Sequence, residues 1–309
     1  MKTKLLIEQH FHGCFGVDFN TATVDEVLFL SKEILKYGIG GIFPTIVTDS
    51  IENTKKAITT IKEASKLQTT GMAKILGIHL EGIFLNPEKK GIHNPKHFLK
   101  PTVENYKLIE DDFIKIVTLA PEFDNGLINY LEEKNIKVQA GHCVGSDLDK
   151  CDGVTHMFNA MSGISHRGGS TSLSALINDD IYAEVIADGI HVSDDALKLL
   201  FKTKPQNKII LISDCLPCTK VDVKNDIFEF EFADEKIYYN GIKATSKEGT
   251  LAGSTVLLPD IIKRLAKIKM FNPQFIENSY IYHNIKLDGH IEWDEDFNIL
   301  SIQIPSFEL

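Results

Sequence analysis

Residues 137–156, KVQAGHCVGSDLDKCDGVTH, hold two short apolar runs, and the runs close on His142 and His156. A short apolar run bounded by Gly and Asp reads as a strand buried on both faces. Working outward, the same unit recurs along the chain. Apolar runs at 5–8, 41–46, 75–80, 114–119, 182–186 and 208–212 make eight with these two. Stretches with helical period lie between them, at 24–37, 51–67, 104–109, 126–134, 172–178 and 194–201, and 146–151 has room for one turn. Thr23 and Ser193 stand where helix caps belong. Eight strands with crossovers predict an α/β fold, a (β/α)8 TIM barrel. A doubly wound open sheet gives a similar alternation but gathers its site at one switch point. Here chemistry-bearing residues follow many separate strands, which a barrel collects at one end.

After the eighth strand the pattern changes. Alternation at 227–232, 236–239 and 242–245 predicts a β-hairpin inserted at about 226–246, ahead of a last helix over 254–269 that opens on Gly249–Ser254 with Ser254 as its cap. Two more strands are expected at 291–293 and 299–304. The expected division is a barrel over 1–275 and a small β segment over 276–309.

The chain has 309 residues, 43% apolar and 25% charged, with a formal charge of −10. An acidic surface argues against nucleic acid and anionic membranes as partners. No apolar run is long enough to span a bilayer, and the N-terminus does not read as a signal peptide. Five cysteines without a pairing framework suit free thiols and a cytoplasmic setting.

His10-Phe-His12 follows the first strand, so both rings lie on one side of an extended chain and can meet one ion. Surface histidines would show the same spacing. Glu81 follows the third strand in His79-Leu-Glu-Gly. Buried there, it needs a compensating cation. Glu81 with His142 and His156 gives the three-ligand pattern of a catalytic metal site, and zinc or iron would suit. Asp214 ends the eighth strand, placed to move a proton; a helix cap is the plainer alternative. The Cys215–Cys218 pair has no second pair and no redox context. Asp188 and His191 end strand seven. Asn159, Ala160 and the His166-Arg167-Gly-Gly loop follow strand six, where Arg167 suits an anion. Lys89 and Lys90, near His93, are expected to be solvated.

The motifs HFHG (10–13), PTIVTDS (44–50), GIHLEGIFLNPEKKGIHNP (77–95), VTLAPE (117–122), AGHC (140–143), THMFNAMS (155–162), YAEVIADGIHV (182–192) and GTLAGST (249–255) occur in this order. Together they resemble the N-acetylglucosamine-6-phosphate deacetylases of the amidohydrolase superfamily, over roughly residues 8–270. The resemblance implies a metal-dependent TIM-barrel hydrolase, usually a homodimer, that removes the acetyl group of an amino-sugar phosphate. It implies Glu81, His142 and His156 as primary ligands, with a second ion at His10 and His12. It makes Asp214 the acid/base, with His191 beside it. It places Asn159, Ala160, Arg167, His191 and His93 around the sugar phosphate, some of them across a dimer interface.

The chain departs from the pattern in places. Members normally carry a further N-terminal stretch that forms a small β-sandwich with the C-terminal segment, whereas here the first barrel strand starts almost at Met1. Ile83 stands for the usual Pro, Ser213-Asp214-Cys215 for Thr-Asp-Ala, and Gly168-Gly169-Ser170 for Glu-Pro-Gly. These changes leave two alternatives open. One is the same chemistry on another N-acetyl amino-sugar phosphate or amide, and the other is a truncated relative that binds sugar phosphate without turnover.

Overall fold

The computed structural model describes residues 1–222 and 227–304. Eight strands run in sequential order through one parallel sheet: β1 (Leu6–Phe11), β2 (Ile39–Val47), β3 (Ile78–Glu81), β4 (Ile114–Leu119), β5 (Lys137–Ala140), β6 (Gly153–Val154), β7 (Tyr182–Val185) and β8 (Ile209–Leu211), and a ninth, two-residue strand, Lys74–Ile75, pairs with β2 just ahead of β3. The seam between β8 and β1 is closed just beyond β8. Asp214 N–H donates to His10 O at 2.8 Å, and His12 N–H donates to Cys215 O at 2.9 Å. The sheet is therefore curled into the barrel that the sequence predicts, and the open-sheet alternative falls away. All nine residues of β2, IGGIFPTIV, are buried, as expected of a parallel strand covered on both faces.

The crossover helices start where capping chemistry stands. Thr23 and Glu26 form a reciprocal box at the head of Val24–Leu35, Ser50 caps Ile51–Leu67, and Ser193 caps Asp194–Thr203. Residues 146–151 hold no helical turn. The expected helix at 254–269 is corrected: it runs Leu258–Lys267, with Pro259 in its first turn, and Ser254 does not cap it. Leu251–Gly253 instead adds a fourth strand to the inserted sheet, beside Phe228–Phe232, Glu235–Tyr239 and Ala244–Thr245. Position 226, where the insertion was expected to begin, lies outside the described residues. This sheet stands over the C-terminal end of the barrel. Phe232 lies edge-on to the His12 ring, with centroids 5.1 Å apart. The turn at Ala233 and Asp234 reaches the loop after β3, where Asp234 pairs with Lys96 and His97, each at 3.0 Å.

A helix that the sequence reading did not include, Gln274–His283, closes the other end. Tyr280 Oη donates to Leu5 O at 2.8 Å, and Asn278 Nδ2 donates to Ile209 O at 2.6 Å, so the helix sits at the starts of β1 and β8. A boundary at 275 cuts through its first turn. Beyond it, His290–Trp293 and Ile299–Gln303 pair with each other, and Lys2–Lys4 joins the former to make a three-stranded antiparallel sheet. Residues 305–309 of the expected tail lie outside the described residues. Among the described residues no helix is long and apolar enough to cross a membrane.

The small sheet shares the barrel's core. Trp293 is 2% exposed and its Nε1–H donates to Thr3 Oγ1 at 2.9 Å, while Ile291 and Trp293 belong to the main apolar cluster. Trp293→Ala is expected to cost about 3–5 kcal/mol in urea unfolding, within one cooperative transition. A loss under about 1 kcal/mol, or a separate early transition, would show instead that the small sheet is energetically independent of the barrel.

Candidate active site

Five strand ends converge above the barrel axis. The Glu81 carboxylate, 2% exposed, is the common centre. One oxygen, Oε1, lies 3.2 Å from His142 Nε2 and 3.1 Å from His156 Nε2. The other, Oε2, lies 3.3 Å from His10 Nε2 and 3.1 Å from His12 Nε2. Asp214 Oδ1 faces the same two rings at 3.4 and 3.2 Å. The structure thus brings together Glu81, His142, His156, His10, His12 and Asp214, and divides them into two adjoining subsites bridged by Glu81.

The sequence turns these side chains inward through sharp backbone bends. His142, His156, Ala160 and Asp214 all adopt positive φ, between 29° and 51°. Such values in non-glycine residues are uncommon and gather at functional sites.

The charge balance favours a cation. Burial alone would depress the imidazoles of His10 and His12, but Glu81 and Asp214 overcome it, raising His10 well above its ordinary value and His12 to about 9. Burial likewise disfavours the Glu81 carboxylate, yet His10 and the other imidazoles hold it well below the usual range. Donor geometry agrees. His142 Nδ1–H donates to Lys89 O at 2.8 Å, which leaves Nε2 as a bare lone pair. That lone pair faces His156 Nε2 at 3.0 Å. Two ring nitrogens at that distance need a proton or a cation between them. Among the described residues, buried His10 Nε2 makes no well-aligned hydrogen bond, although the Glu81 and Asp214 oxygens lie near it. The groups His10–His12–Glu81–Asp214 and Glu81–His93–His142 each have ligand atoms close enough to share one ion. The residues present therefore fit a divalent metal.

Around this centre lies a cleft of about 500 Å³. Asn159, Ala160, His191 and His93 line it as expected. His191 Nδ1–H donates to Asp188 Oδ2 at 2.7 Å, leaving Nε2 buried and unpartnered in the cleft wall. Burial lowers its imidazole, but Asp188 outweighs burial and raises it. His93 is 3% exposed, and its Nδ1 lies 2.8 Å from Thr48 Oγ1. Burial, then the neighbouring His142, holds His93 well below its ordinary value and hence neutral.

Arg167 is not brought to the cleft. It is exposed on the 163–169 loop, and its own N–H donates to Ser165 Oγ. The expectation that Lys89 is merely solvated is also corrected, because it lines the cleft and its carbonyl orients His142. Phe232, Ile92 and Val47, which the sequence does not mark, complete the wall together with residues 249–253. GTLAGST thus holds a strand that faces the site and is not a helix lead-in, and its place among the matching motifs is the signal for that. Cys215 and Cys218 are buried, and they join none of the ligand clusters among the described residues.

Chelated protein is expected to unfold at a lower temperature than the same protein with Zn2+ or Co2+ restored. An ion at about 1,000 times its dissociation constant adds roughly 4 kcal/mol. Glu81→Gln should abolish that rise in a thermal melt. An equal rise in wild type and variant would rule out this cluster as the binding site.

No family model matches the chain. It is 34% identical over 264 residues to the N-acetylglucosamine-6-phosphate deacetylase of Bacillus subtilis, an alignment covering 81% of this chain. The chain spans 65% of that relative's length. It is 26% identical over 279 residues to the N-acetylgalactosamine-6-phosphate deacetylase of Escherichia coli O157:H7, covering 86% of this chain and 72% of the other. The fold superposes on the N-acetylglucosamine-6-phosphate deacetylase of Pasteurella multocida with a TM-score of 0.86 and 26% identity, over 98% of this chain and 85% of that one. By sequence and fold together, the chain is similar to the N-acetylglucosamine-6-phosphate deacetylases.

Proposed function

We propose that this protein hydrolyses the acetamido group of N-acetylglucosamine 6-phosphate to glucosamine 6-phosphate and acetate. The observation that carries the reading is Glu81 buried among four imidazoles with Asp214 against two of them. Glu81, His142 and His156 would hold a divalent ion, Zn2+ or Fe2+, and His10 and His12 with Asp214 would hold a second. Such an ion polarises an amide carbonyl and lowers the pKa of water.

The residues of the chain do the rest. Asp214 takes a proton from the attacking water as its oxygen bonds to the carbonyl carbon. It then gives the proton to the sugar nitrogen as the C–N bond breaks, so one water is consumed and acetate and amine leave. His191, steered by Asp188, presents Nε2 to the carbonyl oxygen or a sugar hydroxyl. Asn159 and Ala160 border the sugar, and His93 backs the cleft beside His142.

Exposure of Arg167 supports a homodimer in which the 163–169 loop reaches a second copy's cleft and grips the phosphate. The barrel over 1–275 is read as the catalytic unit and the tail sheet as its small β domain. A cytoplasmic enzyme of amino-sugar metabolism fits this reading.

Acetate release tests it. Asp214→Asn should lower kcat by about 10²–10⁴, with an ion still bound at Glu81, His142 and His156. Turnover near wild type in that variant would remove Asp214 from the mechanism. Arg167→Ala should raise KM for the phosphorylated sugar roughly 10-fold or more with kcat nearly unchanged, since it removes binding shared by ground and transition states. An unchanged KM would leave the phosphate grip to other residues.

A further inference from the structure

Beneath the site the barrel is filled by polar side chains, and one of them, Glu184, has no part in the steps above. It lies on β7, is 1% exposed, and receives hydrogen bonds from four groups. Oε1 accepts from Gln9 Nε2 at 2.6 Å and from Gln139 Nε2 at 2.9 Å. Oε2 accepts from His10 Nδ1 at 3.0 Å and from His156 N–H at 3.4 Å. Gln9 is itself held in place, its Oε1 lying 2.9 Å from His283 Nε2 on the helix that floors the barrel. Every neighbour of Glu184 is therefore a donor, and a carboxylate, which only accepts, is the one side chain of this size that satisfies all four.

We propose that Glu184 is a positioning residue whose buried carboxylate fixes the His10 ring with Nδ1–H turned down and Nε2 turned up, and so makes the His10–His12–Glu81–Asp214 subsite able to hold an ion. The inference rests on the functional reading above and extends it. Free rotation or the other tautomer of His10 would put a C–H or an N–H where a lone pair is required. Among the described residues His10 has no other anchor at Nδ1. The primary subsite is held differently: His142 is oriented by Lys89 O, and only the His156 backbone touches Glu184. Loss of the carboxylate should then empty one subsite and spare the other.

An amide at this position creates a specific conflict. In Glu184→Gln, turning the NH2 toward His10 meets Nδ1–H, so the ring must become the Nε2–H tautomer. Turning it toward Gln9 and Gln139 sets donor against donor, and relieving that clash requires both amides to turn over, with His283 changing its tautomer to keep Gln9.

The test uses full-length protein loaded with Mn2+, read by equilibrium dialysis and electron paramagnetic resonance. Wild type should bind two ions per chain and show a spin-coupled pair. Glu184→Gln should bind one, with an uncoupled Mn2+ signal, and His10→Gln should match it. Gln139→Ala removes another Glu184 partner without touching His10, and should keep two ions whatever it costs in stability. Two ions with unchanged affinity in Glu184→Gln, or loss of both from folded variant, overturns the inference while the hydrolase reading stands. One ion in wild type also overturns it alone. No ion in wild type overturns the functional reading itself. Should Glu184→Gln not fold, ¹⁵N chemical shifts of His10 in Zn2+-loaded wild type decide the matter: the ion on Nε2 with Nδ1–H retained upholds the proposal, and the ion on Nδ1 or a free Nε2–H overturns it.

Discussion

The rest of the structure depends on a carboxylate placed where it cannot be solvated. Removing an ionised carboxyl from water costs several kcal/mol even after relaxation, and the cost is recovered only by opposite charge and well-aimed donors. Glu81 meets that requirement with nitrogen atoms from β1, β5 and β6 region ends, on both of its oxygens. No single segment of chain could supply them, because they are separated by up to 146 positions between His10 and His156. A closed parallel barrel can, since every strand delivers its C-terminal end to the same rim. The seam bonds Asp214 N–His10 O and His12 N–Cys215 O show how directly closure and site are joined: the residues that shut the barrel are the ones that face Glu81.

The same constraint reaches downward. Barrel interiors are usually layered with branched apolar side chains. Here Gln9, His79, Thr118, Gln139, Thr155, Glu184 and His283 occupy the axis and bond to one another. His79 spans from Gln9 O at 3.0 Å to Thr118 Oγ1 at 2.8 Å, and Thr118 continues to Thr155 at 2.7 Å. With both ring nitrogens engaged, and with burial pushing it down to about 3, His79 is a neutral strut and not a ligand, despite its place two residues before Glu81. Such a network is stabilising only when every member is satisfied. What it contributes is fixed ring orientation beneath the histidines and carboxylates of the rim.

Much of this is legible in the sequence. A histidine or carboxylate at the end of successive apolar runs predicts both the barrel and the membership of the site, because burying such a residue has a physical cost that only a site repays. What escapes is of two kinds. The floor helix Gln274–His283 reads QFIENSYIYH, rich in β-branched and aromatic residues and buried on more than one side, so no single apolar stripe marks it. Lys2–Lys4 is a three-residue edge strand of polar residues, recognisable only once its partner at His290–Trp293 is in place. Ser254 satisfies the local rule for a cap, yet tertiary pairing of Leu251–Gly253 overrides it. Local chemistry predicts what a residue can do, whereas pairing across hundreds of positions decides which option is used.

Backbone strain shows where that pairing does its work. Ile83, just past Glu81, sits at φ 57°. A β-branched residue is a poor occupant of the left-handed region. It is held by two long-range bonds, Ile83 N–H to Thr48 Oγ1 at 3.0 Å and Leu99 N–H to Ile83 O at 2.6 Å. The Thr48 hydroxyl is also the partner of His93 Nδ1. One hydroxyl at the end of β2 thus fixes both the strained turn that aims Glu81 and the histidine that stacks edge-on to His142 at 4.4 Å. The turn after β3 is consequently not free to relax without moving the cleft wall. The strain is better understood as the means by which β2 and β3 keep Glu81 and His93 in register than as a defect the fold tolerates.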